Sequence, residues 1–276
     1  MKKIVLLMMI ISFNWVYGVE SKPKIGLALS GGGAKGIAHI GVLRALEKEG
    51  VKIDYISGTS MGGLVGALYA MGYTTDQMEE ILKEIDWKSV FNDSYSRKYL
   101  TMPEKENYDK YFAGLSFNEK GITLPNGIVE GQNLGLLLCR LTLPVHDIND
   151  FNKFHIPFTC AATDILTGKT VVLDSGFLPD ALRASMAVPT VFTPVIKGDQ
   201  VLIDGFLSRN LPVTEVKNMG ADIVIAVDVG DPLMKKEQLN SFVDIMNQTI
   251  SMRGYDVVME ERKKADIVLV PDVVSI

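Results

Sequence analysis

Short apolar runs alternate with amphipathic stretches along most of the chain. Residues 24–30 (KIGLALS) are nearly all apolar, the pattern of a strand buried on both faces. Residues 34–49 place Ile37, Ile40, Val42, Leu43 and Leu46 at helical spacing, and Gly50 supplies a stop. Residues 53–58 (IDYISG) predict a second strand, 61–71 a helix of small and apolar residues, and 75–87 an amphipathic helix. Further strands are expected at 155–165, 169–176 and 200–205, the last reaching Asp204. Residues 212–219 predict a helix, 221–230 (ADIVIAVDVG) a deeply buried strand, 236–264 a helical region and 265–273 a closing strand. This alternation predicts an α/β fold with a mostly parallel central sheet and helices on both faces.

Residues 87–117 break the rhythm. Eight aromatic residues fall there, and Trp87, Phe91, Tyr95 and Tyr99 recur at every fourth position, one stripe if the segment is helical. Aromatic stripes usually pack inward. A satellite core under an insertion is therefore expected, with a lid or an apolar wall for an acyl chain as the alternative.

Composition narrows the class. The 276 residues suit one large α/β domain or two small ones, and 47% hydrophobic against 22% charged residues supplies a packed core. A net charge of -5 argues against nucleic acid as a partner. Lys2 and Lys3 precede an unbroken apolar run at 4–11, and Val16 and Gly18 fit the small residues of a cleavage site. Residues 1–18 are expected to be an export signal and 19–276 the mature domain; the apolar run is short for a bilayer span. Cys139 and Cys160 leave a bridge and two buried thiols equally open. Together with His39, His146 and His155 they show no metal-ligand spacing, and no metal or cofactor is expected.

The chemistry starts at residues 31–36 (GGGAKG), between the first strand and the first helix. A phosphate-binding Walker loop needs Lys then Ser or Thr after its last glycine, but Ile37 and Ala38 follow Gly36. Gly31, Gly33 and Gly36 do match the dinucleotide pattern G-x-G-x-x-G, with Asp54 near the expected distance for a ribose contact. The bland alternative is a tight turn without a ligand. A second motif decides. Gly58, Ser60 and Gly62 form G-x-S-x-G between a predicted strand and helix, the setting of a nucleophile elbow. Beside such a serine the glycine turn reads as an oxyanion hole made by Gly31, Gly32, Gly33 and Met61, with Gly32 and Gly33 N–H as the main donors. Lys35 either holds the loop or adds positive potential.

A serine nucleophile needs a base. No histidine follows His155, and His39 falls inside a predicted helix, where a packed side chain is expected. His146 and His155 have no identifiable partner. Asp204, in LIDGF at a strand's carboxyl end before Gly205, is the candidate.

GGGAKG, GTSMGG and Asp-Gly in this order resemble the patatin-like phospholipase family. Residues 181–195 (ALRASMAVPTVFTPV) are similar to that family's segment before its catalytic aspartate, and the likeness covers nearly the whole mature chain. The resemblance implies a three-layer sandwich, Ser60 as nucleophile, Asp204 as base, and Gly31, Gly32, Gly33 and Gly36 in the oxyanion loop. It departs at Phe206, where the family usually has Gly or Ala. It also implies acyl transfer to water from phospholipids or other acyl lipids at a membrane surface. Exported patatin-like proteins that continue into outer-membrane β-barrels are similar, so the periplasm, the cell surface or outer membrane, or the medium is the expected destination. The competing readings are a nucleotide-binding oxidoreductase, a non-catalytic binding domain, and an esterase for soluble esters or thioesters.

Overall fold

The computed structural model describes residues 22–94, 101–102, 116–118, 121–123, 129–189 and 191–273. The expected export signal, Tyr95 and Tyr99 lie outside them.

Strand β1 (Ile25–Leu29) leads through the glycines into a short 3-10 turn (Gly33–Ile37) and then helix α1 (Ala38–Lys48). The single helix expected from residue 34 is thus split: Gly33 takes φ +56°, and the tighter turn keeps the loop at the strand ends. β2 (Tyr55–Thr59) runs through Ser60 into α2 (Met61–Ala70), which is buried almost all round. α3 (Thr75–Glu84) opens on a Thr74–Gln77 capping box. It stops short of Trp87 because Asp86 caps a separate helix, α4 (Trp87–Asn92), accepting from Ser89 N at 3.2 Å. On α4 the ring of Trp87 stacks on Phe91 at 5.7 Å, and Phe91 meets Phe192 at 5.9 Å. Both side chains pack against the main core, so the described part of the aromatic stripe faces inward.

β3 (Ser116–Asn118) and β4 (Gly121–Thr123) pair with each other in a two-stranded sheet. α5 (Gln132–Leu141) has no start signal in its own sequence. The Asp93 carboxylate, far upstream, caps it by accepting from Gly131 N (2.6 Å), Gln132 N (3.1 Å) and Asn133 N (2.8 Å). There follow β5 (Phe158–Asp164), β6 (Lys169–Leu173), α6 (Leu178–Ser185), β7 (Val195–Lys197), β8 (Gln200–Asp204), the single turn α7 (Phe206–Arg209) and α8 (Val213–Asn218). β9 (Ile223–Val227), the long α9 (Phe242–Lys264) and β10 (Ile267–Leu269) complete the order.

The main sheet runs β10-β9-β1-β2-β5-β8-β7, with β6 also on β5. Its first five strands are parallel, while β5–β6, β5–β8 and β7–β8 pair antiparallel, so the sheet is mixed with its larger part parallel. Two short turns force this. Asp164 folds the chain back by accepting from Leu166 N and Thr167 Oγ1, and Gly198 at φ +59° closes the two-residue turn between β7 and β8. Helices cover both faces of the parallel part. Leu27, Leu29, Ile225 and Val227 point into the larger core with α2, while Ala28, Val224 and Ala226 pack under Val213, Val216 and Val258 of α8 and α9. Cys160 is buried in β5 and Cys139 exposed on α5; both are free thiols.

Candidate active site

Ser60 sits in the turn between β2 and α2 at φ 53°, ψ -124°, a strained conformation for a residue with a side chain. The flanking glycines make that turn feasible. A Cβ at Gly58 would run into Gly62 O, and one at Gly62 into Ser30 O. Three stretches of backbone therefore touch directly beneath the serine.

The sheet register brings Asp204 to it. Thr59, the last residue of β2, is registered with Ala161 of β5, and Asp204, the last of β8, with Ala162. β6 occupies the other edge of β5 along Cys160–Asp164, so β2 and β8 share one edge. Because β2 is parallel to β5 and β8 antiparallel, their carboxyl ends meet head to head. The Ser60 hydroxyl donates to Asp204 Oδ2 at 2.7 Å, with Ser60 8% and Asp204 1% exposed.

Asp204 is held on every side. Its Oδ1 accepts from Phe206 N at 2.9 Å, its N donates to Ala187 O at 2.9 Å, and its carbonyl accepts from Thr163 Oγ1 at 3.0 Å. A Cβ at Gly205 would run into Ala161 O, which is why the turn after Asp204 needs glycine there. Burial pushes the carboxyl pKa up to about 7, against the opposing pull of the Ser60 and Phe206 hydrogen bonds. A carboxylate at that value is a far better proton acceptor than an exposed one.

The glycine loop closes the site from the β1 side. A Cβ at Gly31 would lie 3.1 Å from Ser60 Cβ and 2.7 Å from Asn210 Oδ1; one at Gly32 would lie 2.8 Å from Val229 Cγ2. Gly31 corrects one expectation. Its N–H donates to Asn210 Oδ1 (3.1 Å) and Asn210 O (3.2 Å), so it is not an oxyanion donor. Gly32 and Gly33 N–H on the loop, and Met61 N–H at the first turn of α2, have no protein acceptor among the described residues and are open to a ligand oxygen. A Cβ at Gly36 would run into the buried Met61 side chain, so this glycine seats the 3-10 turn on α2. Lys35 pairs with Asp231 and holds the loop from outside.

Other candidates lie elsewhere. Asp54 precedes β2, at the end of the strands opposite the glycines, and its carboxylate accepts from Ile25 N at 2.9 Å. The dinucleotide reading thereby loses its ribose contact. His39 is fully buried and donates Nε2–H to Ser30 O at 2.8 Å, and burial lowers its pKa to about 4. It props the strand end as a packed neutral side chain. His146 Nδ1 meets Leu143 O at 2.9 Å, and neither His146 nor His155 lines the cavity described next.

Two positioning residues have no motif to announce them. Ser185, at the end of α6, accepts from Ser60 N at 2.9 Å and donates to Ala161 O at 2.7 Å. Asn210 grips Gly31 from both sides, its Nδ2 also reaching Gly31 O at 3.3 Å. Only the first left a trace, inside the segment 181–195. A cavity of about 500 Å³ opens in front of this assembly, between the glycine loop, Ser60, Asp204 and one face of α9.

Residues 27–217 match the family model described as patatin-like phospholipase. The lysophospholipase NTE1 of the yeast Debaryomyces hansenii is 32% identical over 241 residues, 83% of this chain and 14% of that protein. The lysophospholipase nte1 of Aspergillus fumigatus is 32% identical over 231 residues, 81% of this chain and 13% of its own length. The chain thus spans about a seventh of these relatives. Among solved structures, VipD of Legionella pneumophila overlays with a TM-score of 0.47 at 15% identity, covering 83% of this chain and 53% of that one. The motifs, their order and the extent of the family match agree: this chain belongs to the patatin-like phospholipase family.

Proposed function

We propose that the chain is a serine lipid acyl hydrolase that cleaves acyl esters of phospholipids or lysophospholipids through Ser60 and Asp204. One observation carries the reading: the 2.7 Å Ser60 Oγ–Asp204 Oδ2 hydrogen bond lies at the wall of a cavity beside glycine N–H groups that have no protein acceptor among the described residues. Ser60 Oγ attacks the ester carbonyl as its proton passes to Asp204 Oδ2. Gly32 and Gly33 N–H hold the oxyanion, with the first turn of α2 adding its dipole. The intermediate collapses, the leaving alkoxide takes the proton from Asp204, and an acyl-Ser60 ester remains. Water then attacks that ester with Asp204 again accepting a proton, and a second collapse frees the fatty acid and restores Ser60. Asp204 performs both steps without a histidine because burial sets its pKa near 7.

The family match and the lysophospholipase relatives support a lipid as the acyl donor. Fatty-acid release from lysophosphatidylcholine and from diacyl phosphatidylcholine vesicles tests this, with Ser60→Ala as control. Release by the wild type alone supports the reading; turnover of soluble short esters without release from either lipid contradicts it. The basic start and apolar run of residues 2–11 support export of the mature chain, which the intact mass of protein recovered outside the cytoplasm tests.

A further inference from the structure

One wall of the cavity comes from α9, beyond residue 217 where the family match ends. Ser251, Gly254, Tyr255, Val258, Met259 and Arg262 line it. Their spacing of three and four residues describes a single helix face, about 16 Å long at the helical rise.

This wall is registered to the reacting centre. A Cβ at Gly254 would lie 2.6 Å from Phe206 O, so α9 rests on the turn whose Phe206 N–H binds Asp204 Oδ1. Farther along, Glu261 accepts from Thr214 N at 2.7 Å and from Lys264 Nζ at 2.7 Å, and pairs with Arg209. These contacts fix the helix at both ends of the face.

The wall's charges are already matched. Arg262 Nε and Nη2 reach Asp228 Oδ2 at 2.8 and 2.7 Å, and Asp228 Oδ1 accepts from Gly230 N at 2.8 Å. Lys35, on the glycine loop, pairs with Asp231. What the middle of the wall presents is apolar: Tyr255, Val258 and Met259, with Leu233 and Val188 also lining the cavity. Val258 is locked into the core under α8, whereas Tyr255 and Met259 are only half-buried.

We propose that this face of α9 is the acyl-chain subsite, and that Met259 and Tyr255 set the length of acyl chain accepted. The inference rests on the hydrolase reading above. A flexible thioether beside a phenol ring adapts to a methylene chain and offers no charge to a phosphate.

The test uses the full mature chain and two monomeric substrates, p-nitrophenyl butyrate and p-nitrophenyl decanoate. The readout is the ratio of kcat/KM for decanoate to that for butyrate, in which any loss of folded enzyme cancels. Met259→Trp fills the wall and is expected to lower this ratio about tenfold. Met259→Ala opens the wall and is expected to raise the same ratio, by about fivefold. Ratios within about twofold of wild type in both variants, with esters still cleaved, overturn the subsite alone. A wild-type chain that cleaves neither ester overturns the hydrolase reading and the subsite with it.

Discussion

Ser60 and Asp204, 144 positions apart in sequence, share a 2.7 Å hydrogen bond because the strands that carry them end against neighbouring residues of β5. Neither side chain is aimed by a flexible loop. Each stands one step beyond, or at, the last paired residue of a strand whose direction the sheet dictates.

As the proposed base Asp204 must be ionised, and burial raises its pKa to about 7. For soluble esters kcat/KM should rise about tenfold per pH unit up to that value and level off above it. Initial rates across the range measure this. A profile already flat from pH 5 would contradict a base whose pKa burial raises to about 7.

Burial gives two groups opposite pH effects on stability. His39 has its pKa lowered from 6.5 to about 4, so its contribution is present above pH 6.5 and is lost as pH falls through 4. Asp204 has its pKa raised from 3.8 to about 7, so its contribution is present below pH 3.8 and is lost as pH rises through 7. Between these values the two slopes cancel, each at most about 1.4 kcal/mol per pH unit. Relative to wild type, Asp204→Asn should gain stability with rising pH and His39→Gln should lose it. Urea unfolding at several pH values reads the difference; parallel curves for all three proteins would contradict it.

Ser185→Ala leaves the buried Ser60 N–H without its acceptor. It should destabilise the fold by about 1–3 kcal/mol, seen as a lower urea midpoint at unchanged slope. Activity per folded molecule should fall as well, since the same hydroxyl bridges the nucleophile to β5.

Asn210→Ala frees Gly31 and with it the alignment of the Gly32 and Gly33 donors. The expected result is a loss of about 10–100-fold in kcat with KM little changed, the mark of a contact that matters in the transition state. A change confined to KM would place Asn210 in substrate binding instead.

What could be read in the residues themselves was the local chemistry. Gly58, Ser60 and Gly62 carry their geometry within five positions, and the glycines at 31–36 announce a close approach whatever lies opposite. Asp204 was accessible through the strand that ends on it. The rest depends on contacts between distant segments. Ser185 reaches Ser60 across 125 positions, and Asn210 reaches Gly31 across 179, so no spacing announces either. The capping of α5 by Asp93 hides that helix in the same way. The reversed direction of β6 and β8 and the short strand β7 are equally hidden, since the turns at 165–168 and 198–199 are too short for the crossover a parallel pair needs.

Ser60 is proposed as a nucleophile activated by Asp204. Labelling of the mature chain with a fluorophosphonate, followed by mass mapping of the adduct, tests it most directly. One adduct is expected on the peptide carrying Ser60, absent in Ser60→Ala and formed at least about a hundredfold more slowly in Asp204→Asn. An adduct that survives Ser60→Ala, or that forms at the wild-type rate in Asp204→Asn, would contradict it.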